Sequence, residues 1–366
     1  MNIYYANTDY KPGDTRGRNA HIRQFIRHSL ELGHTIWLDE PVAQYPRLRT
    51  LAKGRLERWW SLRQMDIIYT RLQEMPALSC RYAVPPRRWW LNGTGHVWEF
   101  NTIPEFHRIM GRSERAVQES IAQFRAYGQG CDLAICVSEV LQNYVQTNLG
   151  IKYAVTVPNG SDSEHFRPDL IPALPHDEAS LRVVWIGSAD LSWHHFGLMV
   201  EAAKQLWNEH RPEITFHVIG HSFPIDQTPP NVIYHGPKPY EELPHWLAAM
   251  DVGLVLYRPG VADYNSPLKL FDYMASGLAV IATPQPQVNV VLQQMEAIDF
   301  LVPFDDPSYL VERLLLLASD RSRRLSLGQK ARRLVESYYN WQRVATEIFS
   351  HIDAMFKQKG SRERHN

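Results

Sequence analysis

The sequence predicts an α/β protein made of two Rossmann-like halves. Short apolar segments rich in β-branched and aromatic residues alternate with amphipathic stretches of helical period. In the second half these apolar segments end in glycine, the usual punctuation of a strand entering a turn. A stretch rich in Pro, Asp and Glu at 162–179 divides the 366 residues near position 170, which suits a chain long enough for two domains.

Residues 2–6 read as a strand, followed by a polar, glycine-bearing loop at 7–17, an amphipathic helix at 21–31 closed by Gly33, and a second strand at 35–38. This order opens a doubly wound domain. Further strands are predicted at 67–70, 97–101, 133–137 and 154–157, with a long helix at 112–127, and the turn Pro158-Asn159-Gly160 ends the half. After the linker, strands are predicted at 182–186, 215–219, 232–234, 252–257 and 279–282. Helices are predicted at 197–210, 240–250 and 267–276, then at 307–318, 321–338 and 341–356. The tail from Lys357 is polar and reads as frayed.

Composition excludes several classes. The three cysteines, Cys80, Cys131 and Cys136, make no disulfide framework and no zinc spacing, which fits a reducing, cytoplasmic location. The first residues lack the basic and apolar regions of a signal peptide, and no run approaches the ~18 apolar residues of a membrane span. The 39 basic and 39 acidic residues cancel, but residues 1–168 hold 21 basic against 16 acidic, so the excess positive charge lies in the first half.

Ligands of open α/β sheets bind beyond the carboxyl ends of the strands. In the second half those ends are Gly187-Ser188, Gly220-His221, Gly236-Pro237-Lys238 and Arg258-Pro259-Gly260, where small residues let backbone approach a phosphate. Glycine also ends strands for turn geometry alone. The dinucleotide pattern GxGxxG is absent from the first βα turn of each half, which argues against a nicotinamide enzyme. Residues 264–283 read Tyr-Asn-Ser-Pro-Leu-Lys-Leu-Phe-Asp-Tyr-Met-Ala-Ser-Gly-Leu-Ala-Val-Ile-Ala-Thr. Asn265 or Ser266 is the expected N-cap and Pro267 the first helical residue. A helix N-terminus favours anions, and Lys269 in the first turn adds a point charge for a pyrophosphate. Asp272, three residues on, shares its face and is placed to reach a sugar hydroxyl. The bland alternative is an exposed Lys–Asp pair on an ordinary capped helix.

This segment resembles the nucleotide-sugar motif of GT-B glycosyltransferases of the family-4-like group. Asp272 falls where that family carries the second acid of E-x7-E, and Tyr264 stands where the first acid would be, with Asp263 adjacent. Residues 215–220 with 231–236 are also similar to the xanthan-type glucuronosyltransferases, which are inverting and membrane-associated; there a lysine matching Lys269 contacts the UDP diphosphate. In the first half, Arg16-Gly17-Arg18-Asn19-Ala20-His21 matches the family's glycine loop, which implies Gly17 near the donor and Arg18 and His21 near the acceptor. Trp98-Glu99-Phe100-Asn101-Thr102, Cys136-Val137-Ser138-Glu139 and Val157-Pro158-Asn159-Gly160 resemble further family segments.

The resemblance implies a GT-B fold, with two Rossmann-like domains facing across a cleft. Residues 1–170 would bind acceptor, 171–340 would bind a nucleotide-diphosphate sugar, UDP- or GDP-linked, and 341–366 would supply a terminal helix that packs back on the first domain. The donor set would be Gly17, Gly187, Ser188, Gly220, Lys238, Arg258, Asn265, Ser266, Lys269 and Asp272. An inverting transfer needs a base. Glu99 at a strand end is the first candidate, with Asn101 on the same side, and Asp14 and His21 compete; a purely structural Glu99 is the alternative. With no Asp-x-Asp, no metal is expected, and no cofactor beyond the nucleotide-sugar co-substrate. A basic, aromatic stretch at 46–63 and Pro85-Pro86-Arg87-Arg88-Trp89-Trp90 suggest peripheral contact with anionic membrane and a lipid-linked or polysaccharide acceptor. The alternative is a solvated basic helix with core-facing Trp and Leu; a nucleic-acid partner has no motif in its favour. The rival functions are a nucleotide-sugar epimerase or hydrolase, and a catalytically inactive scaffold.

Overall fold

The computed structural model describes residues 1–6, 17–39, 45–52, 54–72, 93–175, 179–188, 191–220 and 228–363. They form two compact units, Met1–Pro158 with Trp341–Asn366, and Asn159–Asn340.

The first unit runs β1 (Asn2–Ala6), α1 (Gly17–Glu31), β2 (Thr35–Leu38), β3 (Leu48–Thr50), α2 (Arg55–Arg63), β4 (Ile67–Leu72), β5 (Gly95–Phe100), α3 (Phe106–Ile109), α4 (Glu114–Gly128), β6 (Leu133–Cys136), α5 (Glu139–Asn148) and β7 (Ala154–Thr156). The seven strands are parallel in the order β3-β2-β1-β4-β5-β6-β7, with Ile3 opposite Ile67 and Val97 opposite Leu133. Every residue of β4 and β5 is buried, as expected for central strands covered on both faces. Ser113 and Ser138 cap α4 and α5 by accepting from Ala116 and Leu141 N–H. The strand β3 and the helices α2, α3 and α5 add to the elements predicted from the sequence.

The second unit runs β8 (Leu181–Gly187), α6 (Phe196–Asn208), β9 (Ile214–Gly220), β10 (Val232–Gly236), α7 (Leu243–Leu247), β11 (Val252–Val255), a 3-10 turn (Val261–Tyr264), α8 (Leu268–Ala275), β12 (Ala279–Ala282), α9 (Pro286–Gln294), α10 (Pro307–Ser319) and α11 (Arg321–Ser337). Its parallel sheet has the order β10-β9-β8-β11-β12. Strand order reverses between β1 and β4 in one sheet and between β8 and β11 in the other, and such switch points open crevices at the carboxyl ends.

Residues 159–170, placed with the first half from sequence, belong to the second unit. Their polar groups explain why. The Asn159 backbone N–H donates to Ser266 Oγ at 3.1 Å, and its side-chain amide donates to the Ser266 carbonyl at 2.7 Å. Ser161 donates to Asp272 at 2.6 Å, Phe166 is fully buried, and Arg332 donates to the carbonyls of Ser163, Phe166 and Ala275. The last helix, α12 (Trp341–Glu363), lies in the first unit, where Phe349 stacks on Phe25 and Trp341 meets His21 edge-on. It continues through the tail expected to fray, and Lys359 Nζ lies 2.5 Å from Asp132.

Candidate functional site

The switch point of the second sheet carries an unusual group. Helix α8 is docked by Tyr273, whose ring occupies the space over Gly253 of β11 and whose hydroxyl accepts from Ile186 N–H of β8 at 2.8 Å. Lys269 lies one turn earlier on the same side, so docking Tyr273 carries Lys269 into the sheet end rather than into solvent. Its side chain is buried, and Nζ has no hydrogen-bond partner among the described residues. The ammonium sits 4.8 Å from the Trp185 ring and 5.0 Å from the Tyr257 ring. Burial pushes its pKa down to about 7.

Glycines frame this cation. Gly187 and Gly220, at the ends of β8 and β9, have φ of 156° and 147°. A Cβ at Gly220 would lie 1.7 Å from the Gly187 carbonyl oxygen, and one at Gly187 would lie 3.1 Å from Lys269 Nζ. Both positions therefore require glycine, and the backbone beside the cation stays bare. His194 borders it, its Nδ1–H donating to the Ser188 carbonyl at 2.7 Å. Burial and the Lys269 charge push His194 down to about 3, so it adds no second charge.

The other expected donor residues distribute differently. Pro267, not Asn265 or Ser266, is the N-cap of α8. Ser266 is buried and bonded to Asn159, so its hydroxyl works in the fold; Asn265 is half-buried, and its Oδ1 has no partner among the described residues. Asp272 does not pair with Lys269: it accepts from Ser161, and burial, with Asp162 nearby, raises its pKa to about 7. The exposed Lys–Asp pair considered from sequence is therefore not what forms. Lys238 Nζ lies 4.5 Å over the Trp246 ring, and Arg258 is exposed, its backbone N–H donating to Trp193.

In the first unit, Glu99 is fully buried at the end of β5. It accepts from Arg71 at 2.6 Å, Asn101 at 2.6 Å and Tyr69 at 3.0 Å. His21 Nε2 stands 3.5 Å away, while Arg71 also donates to His21 Nδ1. Burial alone would raise the Glu99 carboxyl, but these neighbours hold it below the usual carboxylate range. Burial and Arg71 push His21 down to about 3, so at neutral pH the balancing charge is that of Arg71. A carboxylate so occupied has little basicity to offer an acceptor hydroxyl, and the geometry makes Glu99 an anchor that orients Arg71, His21 and the half-buried Asn101. Gly17 and Arg18 begin α1 instead of lying in a loop. The Arg18 side chain, Asp14, Arg16, His221 and residues 85–90 lie outside the described residues.

Sequence reasoning missed Arg71, Tyr69, Trp185 and His194. Arg71 and Tyr69 sit on a central strand whose alternation puts them on one side, and a lone charged residue in an otherwise apolar strand was the available signal. Trp185 and His194 gave none, because their role is to surround a lysine distant in sequence.

The fold is that of the GT-B class, two parallel-sheet Rossmann-like units. Residues 197–350 match the family described as glycosyl transferase-like. TuaH of Bacillus subtilis (strain 168), described as a teichuronic acid biosynthesis glycosyltransferase, is 30% identical over 206 residues, which is 52% of this chain and 47% of TuaH. Spore coat protein SA of the same organism is 31% identical over 91 residues, 24% of each chain. The chain thus spans about half of the first of these relatives and about a quarter of the second. Among solved structures, the sucrose-phosphate synthase of Thermosynechococcus elongatus superposes with a TM-score of 0.69 at 17% identity, covering 98% of this chain and 100% of that one. Anabaena HepE in complex with UDP-glucose gives 0.66 at 14% identity, covering 97% and 100%.

Two outcomes are expected. Because the Lys269 pKa falls from 10.5 to about 7 on folding, the unfolded chain binds more protons between those values, and stability rises with pH across that window. Lys269→Met should therefore raise Tm at pH 6, by an amount worth on the order of a few kcal/mol, with the gain shrinking towards pH 10. Thermal melts at the two pH values measure this, and a destabilised variant at pH 6 would mean that the ammonium is compensated.

For Glu99 the sign is opposite. Its depressed pKa contributes stability that is present above the ordinary carboxylate range and lost as pH falls below it. Glu99→Gln leaves Arg71 uncompensated and should cost about 3–5 kcal/mol in urea unfolding. Full stability combined with a large loss of catalytic rate would restore the general-base role.

Proposed function

We propose that the protein is a glycosyltransferase that moves a sugar, a hexose, from a UDP-linked donor to a saccharide or lipid-linked saccharide acceptor. The observation that carries this reading is the buried, unpartnered Lys269 ammonium beside the bare backbone of Gly187 and Gly220, at the switch point where an open sheet binds ligands. A cation desolvated without a counter-charge is matched by an anionic ligand, and a diphosphate supplies that charge. The acceptor oxygen attacks C1 of the donor sugar, the C1–O bond to the diphosphate breaks, and the proton of the acceptor hydroxyl passes to the departing diphosphate. Charge develops on the leaving diphosphate, which the Lys269 ammonium beside the bare Gly187 and Gly220 backbone would stabilise. No metal is required by this scheme.

The choice of UDP is supported by HepE, solved with UDP-glucose, and by a Staphylococcus aureus TarM structure that contains UDP. A saccharide acceptor is supported by TuaH, described as a teichuronic acid biosynthesis glycosyltransferase. The finer likeness to xanthan-type glucuronosyltransferases rests on residues 215–220 and 231–236 and on Lys269, so UDP-glucuronate belongs beside UDP-glucose and GDP-mannose in a donor screen. A UDP-sugar should raise Tm, since saturation at 100 times Kd is worth ~2.7 kcal/mol. Lys269→Met should abolish the shift and lower kcat/KM by ~10²–10³-fold. Absence of any nucleotide-dependent shift favours a scaffold, and donor turnover without acceptor favours a hydrolase or epimerase.

The peripheral membrane contact is part of the same proposal. On α2, Leu56 and Trp60 are 79% and 62% exposed, which is far more than an internally packed helix needs. Arg63 lies over Trp59 on this helix, and Arg47 and Arg49 are exposed nearby in sequence. Arg58 drops out of the expected patch, since it pairs with Asp39 at 2.6 Å. No described helix is long and apolar enough to cross a membrane. Sedimentation with anionic liposomes should be strong at 0.05 M salt and partial at 1 M, where the Debye length falls to ~3 Å. Serine at both Leu56 and Trp60 should remove the salt-resistant part. A wild-type protein that ignores such liposomes at low salt would point to a soluble acceptor.

A further inference from the structure

A second buried polar group at the same sheet end lacks partners. Gln285 follows β12 and is 2% exposed, yet neither its Nε2 nor its Oε1 has a hydrogen-bond partner among the described residues. It is not needed as a cap: its backbone N–H donates to Asn289 Oδ1 at 3.2 Å, and its side chain accepts nothing from α9. Its position is tied to the candidate site. Thr283, two residues earlier, accepts from the Tyr257 N–H at 2.8 Å and donates to the Tyr257 carbonyl at 2.9 Å. The Tyr257 ring in turn faces Lys269 Nζ at 5.0 Å. Thr283 thus ties the backbone just before this unpartnered amide to the tyrosine whose ring faces the unpartnered ammonium.

We propose that Gln285 is a specificity-determining residue that reads the sugar of the donor, an inference that rests on the nucleotide-sugar reading above. Buried polar atoms are nearly always satisfied, so an amide with both ends open is waiting for a group that both donates and accepts. A phosphate only accepts and would satisfy Nε2 alone. Neighbouring hydroxyls of a pyranose each donate and accept, so one hydroxyl can take a hydrogen from Nε2 while the next gives one to Oε1. The diphosphate belongs to Lys269, and the sugar is the part of the donor joined directly to it.

Titration calorimetry of the full chain with UDP and with UDP-glucose separates the possibilities. Gln285→Leu removes both polar ends while keeping similar bulk. It should leave UDP affinity within about twofold and weaken UDP-glucose by roughly ten- to a hundredfold, as two neutral hydrogen bonds at about three- to tenfold each imply. Its Tm should not fall, because no internal hydrogen bond is lost. Gln285→Met, which keeps the length and shape and removes both polar ends without adding charge, should also weaken UDP-glucose selectively, which guards against a packing defect in the leucine variant. Equal weakening of UDP and UDP-glucose would assign the amide to the base or phosphates and overturn the proposal, as would unchanged affinity for both. A wild-type protein that binds neither compound would overturn the donor reading itself, an outcome distinct from the other two.

Discussion

Burying the Lys269 ammonium without a counter-charge opposes folding, and much of the second unit is arranged so that α8 nevertheless stays in place. Tyr273 locks the helix against Gly253 and Ile186. Asn159 and Ser161 hold its start and its outer side through Ser266 and Asp272. Arg332 gathers the Ala275 carbonyl at its end together with those of Ser163 and Phe166. The aromatic faces of Trp185 and Tyr257 soften the loss of water around the cation without neutralising it. A helix fixed at both ends and along its face can carry a group that, left to itself, would turn to solvent.

The first unit treats a buried charge in the opposite way. Glu99 is surrounded by Arg71, Asn101 and Tyr69 within hydrogen-bond distance, with His21 just beyond. Its charge is balanced by Arg71 and both carboxylate oxygens accept hydrogen bonds. Lys269 has neither balance nor partners. That contrast separates the two sites by physical criterion: a satisfied network rigidifies its surroundings, whereas an unsatisfied one stores affinity for whatever completes it. Gln285 belongs with the second kind, and so does the Asn265 carbonyl oxygen.

Glycine placement shows how little freedom the sheet end allows. The Gly187 carbonyl occupies the space a Gly220 side chain would need, and the Gly277 carbonyl lies 1.9 Å from where a Gly328 side chain would begin. The first contact keeps the strand ends bare beside Lys269. The second lets α11 close on the turn between α8 and β12, so a helix-interior glycine that lowers local propensity is retained for the packing it permits.

The sequence by itself determined the architecture: the alternation of apolar strands with amphipathic helices, the glycines at strand ends and the 264–283 motif specified two parallel-sheet units and singled out Lys269. Those signals are local, carried by period and by residue type, and so they survive without coordinates. What the tertiary structure decided is which polar groups are spent and which are open. Ser266 and Asp272 look like ligand groups in the motif, but residues more than a hundred positions away consume them. Glu99 looks like a base at a strand end, but Arg71 on the neighbouring strand and His21 on α1 turn it into an anchor. Gln285 looks like a loop residue and is left unsatisfied in the interior. Hydrogen-bond satisfaction is a property of the neighbours that folding brings together, and no pattern along the chain encodes it.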